Sequence, residues 1–119
     1  MSAKDASRAR LVMVTAAGEE QAAAIARILV GERLAACVNI LGSIRSVYRW
    51  KDELHDEPEH LMLIKTRASL LGRLKRRIAE LHSYEVPEVI ALALADAAEP
   101  YLKWMMEATT APVKAHRRR

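Results

Sequence analysis

Apolar runs and helically spaced apolar positions alternate along the first half of the chain. Residues 11–15 form a short apolar run of strand-forming residues, and residues 19–33 carry apolar side chains at the spacing of an amphipathic helix. The apolar patterns over 36–41 and 44–50 then predict one long strand, with a bend or bulge at Gly42. This half of the chain therefore reads strand, helix, long strand.

The second half continues the pattern after a polar stretch. Residues 51–60 are polar and include Pro58, so they predict a turn or an edge-strand excursion. Residues 61–66 are apolar on both pleat faces, which is typical of a central strand. The remaining predicted elements are a helix over 71–81, a strand over 88–94 and a short helix over 101–107.

This order of elements predicts an α+β fold, a ferredoxin-like βαββαβ sandwich with long central strands and a short C-terminal helix. Both crossover helices would cover one face of the sheet and leave the other face exposed and largely apolar, with free strand edges. Such a surface favours a homo-oligomer. We expect a polar N-terminal extension over 1–10, one domain over 11–110 and a basic tail over 111–119.

The net charge of +4 lies at the ends of the chain. Residues 1–10 carry +2 and residues 114–119 carry +4, so the body over 11–113 carries −2. A mildly acidic body disfavours nucleic acid as a partner. The sequence has a single cysteine and shows neither a signal-like apolar run at its start nor a membrane-spanning stretch, so we expect a cytoplasmic protein.

Several functions that use this kind of fold are disfavoured by the residues. An RNA-recognition module would carry aromatic side chains on the strands at 11–15 and 61–66, and neither run has one. A soft-metal carrier needs more than one cysteine. An acyl-phosphate hydrolase needs an arginine, an asparagine and a phosphate-binding loop, but Asn39 is the only asparagine and no glycine-rich loop follows the first strand.

The densest group of chemically versatile side chains follows the second predicted helix. His82, Tyr84, Glu85 and Glu88 lie between that helix and the last core strand, where loops commonly form sites. Lys65 lies in a predicted central strand and needs a carboxylate partner, for which Glu85 and Glu88 are candidates. The alternative is structural, with His82 ending the helix, Tyr84 filling a gap and Glu85 pairing with an arginine.

Two further features could bind metal. Residues 55–60 combine two histidines with three carboxylates, although solvated loops are often this polar. Cys37 is either a small buried apolar residue or a reactive thiol or soft-metal ligand. Trp50 is most simply a packing or subunit-contact residue.

Five motifs in register closely resemble the CutA family of divalent-cation tolerance proteins. They are ERLAACVNI at 32–40, SVYRW at 46–50, IKT at 64–66, HSYEVPEVIAL at 82–92 and YLKW at 101–104. The resemblance covers about residues 11–110. It implies a homotrimer of ferredoxin-like protomers with strands exchanged between subunits, similar to the PII signalling trimers. It also implies a role in tolerance of copper and other divalent ions, without a catalytic reaction or an organic cofactor.

The resemblance also implies site residues. The family positions that line or flank clefts between subunits correspond here to Cys37, Trp50, Lys65, His82, Tyr84, Glu85 and Glu88. Of these, His82 and Cys37 become the expected metal ligands and the other five the expected ligand-binding residues. The chain departs from the pattern, since some members have Cys where this chain has Val14 and a second His where it has Leu81. Of the three positions discussed as copper ligands, only His82 is retained.

Three functions follow as hypotheses. The first is a non-enzymatic trimer that binds copper or another divalent metal ion. The second is a PII-like signalling or scaffold trimer that binds a small anionic ligand between subunits through Lys65, Tyr84 and Trp50, with Glu85 organising Lys65. The third is an enzyme that uses Cys37 or the Tyr84–Glu85 pair, for which no acid–base arrangement can be identified.

Overall fold

The computed structural model describes residues 8–111 of the chain. The elements are β1 (Ala9–Ala16), α1 (Glu19–Gly31), β2 (Cys37–Trp50), β3 (Glu53–Arg67), a one-turn 3-10 helix (Ala68–Leu70), α2 (Leu71–Leu81), β4 (Ile90–Ala93) and α3 (Glu99–Ala108). This is the predicted order of an α+β fold. Of the predicted polar extension over 1–10, only residues 8–10 are described, and Ala9 and Arg10 belong to β1; of the predicted basic tail over 111–119, only residue 111 is described. None of the described helices is long and apolar enough to cross a membrane.

The four strands form one antiparallel sheet in the order β2-β3-β1-β4. All eight residues of β1 pair with β3, from Ala9 opposite Arg67 to Ala16 opposite His60. The prediction of a central strand at 61–66 is therefore confirmed. The two outer strands differ greatly in length, since β2 has 14 residues and β4 has four.

One face of the sheet is covered by α1 and α2. Alternate strand residues point to this side, so the core collects small and branched aliphatic side chains from both layers. Alanines on α1 let the helix approach the sheet closely. The fully buried members of this cluster include Val12, Val14, Ala22, Leu29, Met62, Ile64, Leu74 and Ile78.

The opposite face is covered only at one end, by α3. Leu102, Met105 and Met106 pack there against Ala9 and Ala36. Elsewhere the face exposes apolar side chains. These include Leu41 at 43%, Ile90 at 49% and Leu92 at 44% exposure. An uncovered apolar sheet face is what the strand pattern predicted.

Arg67, at the end of β3, is hydrogen-bonded to the C-terminal end of α3. Its guanidinium donates hydrogen bonds to the Met106 carbonyl oxygen and to the hydroxyls of Thr109 and Thr110, the latter two at 2.9 Å. The planar fork of five N–H donors makes this bridging possible. Burial lowers the pKa of Arg67, with the charge of Arg8 as a second cause. The C-terminal helix is thus held by polar as well as apolar contacts.

The polar stretch 51–60, for which composition predicted a turn or an edge-strand excursion, is a two-residue turn followed by the outer half of β3. Only Lys51 and Asp52 form the turn, both with positive φ, as in a tight two-residue hairpin. Residues 53–59 pair with β2 alone, because β1 reaches only residues 60–67. Among the described residues, one backbone edge is therefore free there, and Pro58 is tolerated in the strand.

The last strand differs from its prediction in length. It spans Ile90–Ala93 and is shorter than the predicted 88–94.

The irregularity predicted at Gly42 is present. The register shifts between Leu41 and Ile44, so that Gly42 and Ser43 together oppose His60. A Cβ atom at residue 42 would lie 2.2 Å from Cδ2 and Nε2 of the His60 ring. Glycine is needed here because the imidazole occupies the space of a side chain.

Candidate functional site

A cavity of about 620 Å³ lies between the outer half of the β2–β3 hairpin and the loop that follows α2. Four of the five predicted ligand-binding residues line it, namely Trp50, Tyr84, Glu85 and Glu88. The other lining residues are Thr15, Ser46, Val47, Tyr48, Glu59, Val86 and Pro87. A volume of this order suits a small organic molecule, for which sites of about 300–1,000 Å³ are usual.

Glu59 and Tyr84 form the buried wall of the cavity. Glu59 is only 5% exposed, and its Oε2 accepts a 2.7 Å hydrogen bond from the Tyr84 hydroxyl. A buried carboxylate requires such partners. Burial raises the pKa of Tyr84, and the bond to Glu59 raises it further. The phenol therefore stays protonated and acts as a donor.

Tyr48 forms a similar pair at the rim. Its hydroxyl donates a 2.5 Å hydrogen bond to Glu57, and its ring stacks on His55 with centroids 5.1 Å apart. The bond to Glu57 raises the pKa of Tyr48 to about 12. Two tyrosines thus donate to two carboxylates along the same face of β3, where Glu57 and Glu59 are two residues apart.

The cavity is acidic. Glu59, Glu85 and Glu88 line it, and none of its described lining residues is Lys, Arg or His. Burial raises the pKa of the half-buried Glu88, and the neighbouring charge of Glu59 contributes to the same shift. The surroundings therefore disfavour the ionised form of Glu88 relative to that of an exposed glutamate, and a nearby positive charge would offset this effect.

Lys65, the fifth predicted ligand-binding residue, lies elsewhere in the protomer. It pairs with Leu11 and Cys37 across the sheet, and its Nζ lies 5.5 Å from the centroid of the Tyr101 ring. Six residues of β3 separate it from Glu59, a distance of about 20 Å along an extended strand.

Within the protomer, the expected pairing of Lys65 with Glu85 does not form. The Glu85 carboxylate lies 3.5 Å from Nζ of Lys51 instead. Both of these side chains are about 70% exposed, at 69% and 71%, so the pair contributes little stability.

His82 has a structural role in the protomer. Its Nδ1 accepts a 3.1 Å hydrogen bond from the Tyr84 backbone N–H, so Nε2 carries the ring proton and donates to the Thr15 carbonyl oxygen at 2.7 Å. The ring is 8% exposed. Both nitrogens are engaged, and together they fix the loop that carries Tyr84.

Cys37, the other expected metal ligand, lies apart from His82. Cys37 pairs with Lys65 of β3, which pairs in turn with Leu11 of β1. The His82 ring is bonded to Thr15, which lies four residues farther along β1 than Leu11, a distance of about 13 Å. The Cys37 Sγ lies 3.9 Å from Oδ1 of Asn39. The two residues do not form one metal site within the protomer.

The 55–60 segment does not form a metal cluster either. His55 stacks on Tyr48 and the His60 ring lies against Gly42. These histidines alternate in orientation along β3 because they are an odd number of residues apart. Within residues 8–111, no group of three or more His, Cys, Asp or Glu side chains is arranged to hold a metal ion.

Comparison with known proteins supplies the family. Residues 10–108 match the model of the CutA1 divalent ion tolerance protein family. The chain belongs to the CutA1 family. It is 46% identical over 99 residues to the divalent-cation tolerance protein CutA of Thermus thermophilus, an alignment covering 83% of this chain and 96% of that protein. It is 45% identical to human protein CutA over 81% of this chain and 54% of the human protein.

Solved CutA1 structures have the same protomer fold. The divalent cation tolerance protein of Thermus thermophilus superposes with a TM-score of 0.83 at 44% identity, covering 86% of this chain and 99% of that one. CutA1 from Oryza sativa superposes with a TM-score of 0.84 at 39% identity, covering 88% and 96% of the two chains.

The cavity lining includes two residues, Tyr48 and Glu59, that were not among the predicted ligand-binding residues. Tyr48 lies in the strand predicted over 44–50, and Glu59 lies in the stretch 51–60, for which polarity predicted a turn or an edge-strand excursion. A signal was available, since Glu57 and Glu59 have the spacing of two residues that places side chains on one strand face. Recognising β3 as continuous would have placed both carboxylates on one face of the hairpin.

Proposed function

We propose that this chain is a non-enzymatic protein of divalent-cation tolerance that acts in the cytoplasm as a homotrimer and binds copper or another divalent ion. The observation that carries the proposal is the match to the CutA1 family over residues 10–108. The family is named for tolerance of divalent ions, which is not a catalytic role. A cell lacking its own CutA1 protein should regain growth in copper when it expresses this chain, and unchanged sensitivity would contradict the proposal.

The strand order supports a ferredoxin-like protomer, and the sheet surfaces support the trimer. The long edge strand β2 and the short edge strand β4 are both free for pairing, and they differ from each other. Pairing one kind of edge with the other is a head-to-tail contact, which forms a ring when the rotation closes. The exposed apolar face around Ile90 and Leu92 would be buried at the same time.

Light scattering tests the trimer directly. We expect a mass three times that of the chain, and Leu92→Glu should lower it. Val30→Glu is the matched control, because Val30 is exposed to a similar extent, 41% against 44%, but lies on α1 rather than on the open sheet face. A wild-type monomer would refute the trimer.

Metal binding needs ligands beyond His82 and Cys37 of one protomer. A closed tetrahedral site takes four ligands, and these two lie apart with both His82 nitrogens engaged. We propose that an ion held by Cys37 recruits ligands across a subunit interface. Calorimetry with copper and zinc should show heats that fall in Cys37→Ser. Unchanged heats in Cys37→Ser and His82→Gln would remove both residues from any site.

A second candidate function is a PII-like signalling or scaffold trimer with a small ligand in the cleft. The cavity lined by Trp50, Tyr84 and Glu88 favours it. For the expected anionic ligand, Lys65 would have to come from a neighbouring subunit, because within the protomer it lies about 20 Å away along β3. A thermal-shift screen of metabolites tests this function, since a ligand that binds only the folded state raises the Tm.

A further inference from the structure

We propose that the cavity between the hairpin and the loop after α2 binds a small organic ammonium ion. Its charged end would lie between Glu59 and Glu88 and its apolar part would pack on Trp50. This inference rests on the second candidate function, ligand binding by a CutA1-family protein, and it names the ligand class. It also reverses the ligand charge that the sequence led us to expect.

Charge is the first argument. The cavity collects the carboxylates of Glu59, Glu85 and Glu88, and the part of the lining that the structure describes has no cationic side chain. Lys51 lies 3.5 Å from Glu85, with both partners exposed to solvent. It neutralises neither Glu59 nor Glu88. A ligand cation would supply the missing positive charge, while an anion would be repelled.

Aromatic side chains are the second argument. Trp50 and Tyr48 line the cavity with 38% and 36% of their surface still exposed. Lys51 Nζ lies 5.6 Å from the Trp50 ring centroid and His55 stacks on Tyr48, so a ligand would contact the ring surface that these side chains leave open. Val86 and Pro87 add apolar wall. Aromatic faces attract organic cations, and Trp does so most strongly. Carboxylates together with aromatic walls therefore match a molecule that has one ammonium group and an apolar body.

A bare metal ion fits the same cavity less well. Divalent ions such as Ca²⁺ need several oxygen ligands converging at bonding distance, and residues 8–111 contain no such group of three or more ligating side chains. One oxygen of Glu59 is already bonded to the Tyr84 hydroxyl. An ammonium group needs fewer oxygen partners than a metal ion, because a single hydrogen bond to each carboxylate is enough.

Three probes of similar size and different charge test the proposal on the whole chain. Calorimetry would use 2-phenylethylammonium, the neutral 2-phenylethanol and the anionic phenylacetate. We expect saturable binding of the ammonium probe alone. Equal binding of all three probes, tighter binding of phenylacetate, or no ammonium binding up to about 10 mM, where even millimolar affinity would be detected, overturns the proposal.

Variants then locate the bound ammonium ion. Glu88→Gln and Trp50→Leu should each weaken binding by about tenfold, since each removes one main attraction. Glu80→Gln is the control, because this exposed carboxylate on α2 lies outside the cavity lining. Trp50 is partly exposed, so its replacement tests the site even where Glu88→Gln folds poorly. Equal binding by all three variants overturns the assignment.

Light scattering on the same samples keeps the two proposals separate. A trimeric mass without binding of 2-phenylethylammonium contradicts only the ligand class. A monomer that binds it contradicts the trimer. Phenylacetate binding that Lys65→Met abolishes would instead support the anionic ligand and overturn the inference.

Discussion

Gly42 is the position where a single added methyl group should most disturb the long hairpin. A Cβ there would lie 2.2 Å from two atoms of the His60 ring, whereas packed carbon atoms stay about 3.5–4.0 Å apart. Gly42 does not have a positive φ, so Gly42→Ala adds no left-handed backbone strain. The cost is steric. Because the half-buried ring must move by more than an ångström, we expect about 2 kcal/mol, within the usual range for overpacking.

Denaturant unfolding at one fixed protein concentration measures this cost. His60→Ala removes the obstructing ring, so the Gly42→Ala/His60→Ala pair should show a coupling of at least about 1 kcal/mol in a double-mutant cycle. Gly31→Ala is the matched control, because a Cβ at Gly31 meets no atom within 4 Å. If Gly42→Ala behaves like Gly31→Ala, or if the cycle shows no coupling, the steric argument is wrong.

Three further substitutions test other parts of the structure. Arg67→Met should cost about 2 kcal/mol in denaturant unfolding, because it leaves the Met106 carbonyl without its charged donor, and Arg67→Lys should recover only part. Thr66→Val should cost about 1–2 kcal/mol, because the Leu34 carbonyl loses a buried 2.7 Å bond that Thr66→Ser would retain. Burial raises the pKa of Glu88 above its ordinary value of 4.5, so the folded state binds this proton more tightly than the unfolded chain. Its contribution to stability should therefore fall as the pH rises from 4.5 through the raised pKa. Glu88→Gln should flatten this part of a Tm profile recorded over roughly pH 4 to 7, and an unchanged profile would show that Glu88 is not the group responsible.

The sheet and the helices were predictable because burial imposes its period on the sequence. The two helices that cover the sheet and the central strand at 61–66 all have one continuous apolar face or run. The bulge was predictable because a glycine interrupts an otherwise regular strand pattern. Family resemblance and periodicity led to the same order of elements, so each supported the other.

Polarity predicted the outer half of β3 only as one of two alternatives, a turn or an edge-strand excursion. Residues 53–59 pair with β2 alone, so their composition is that of an exposed segment even though their backbone is fully extended. Their place in a strand is set by the tight turn at Lys51 and Asp52 and by pairing with β2. The order of polar and apolar residues does not show the pairing with β2. It does not mark the turn clearly either, because neither turn residue is glycine.

The candidate site was predictable only in part for the same reason. Residues 82–88 were predicted to form a site because they are a dense polar group. Trp50 and Glu88 line one cavity in the structure. Glu59 completes the site from the segment 51–60, for which polarity predicted a turn or an edge-strand excursion. Lys65 was placed with the loop carboxylates because a half-buried lysine needs a partner, but the face of the Tyr101 ring lies near its charge instead.

The charges of the protein are segregated, and this bears on both proposals. The outer hairpin, residues 44–60, carries five acidic and three basic side chains, for a net charge of −2. Helix α2, residues 71–81, carries four basic side chains and one acidic one, for a net charge of +3. Cations are therefore drawn toward the hairpin and anions toward the helix, before any specific contact forms. A metal ion and an organic ammonium ion would both approach the acidic hairpin, and the aromatic walls at Tyr48 and Trp50 favour the ammonium ion. Replacing Trp50 should therefore weaken ammonium binding and leave divalent-ion binding unchanged.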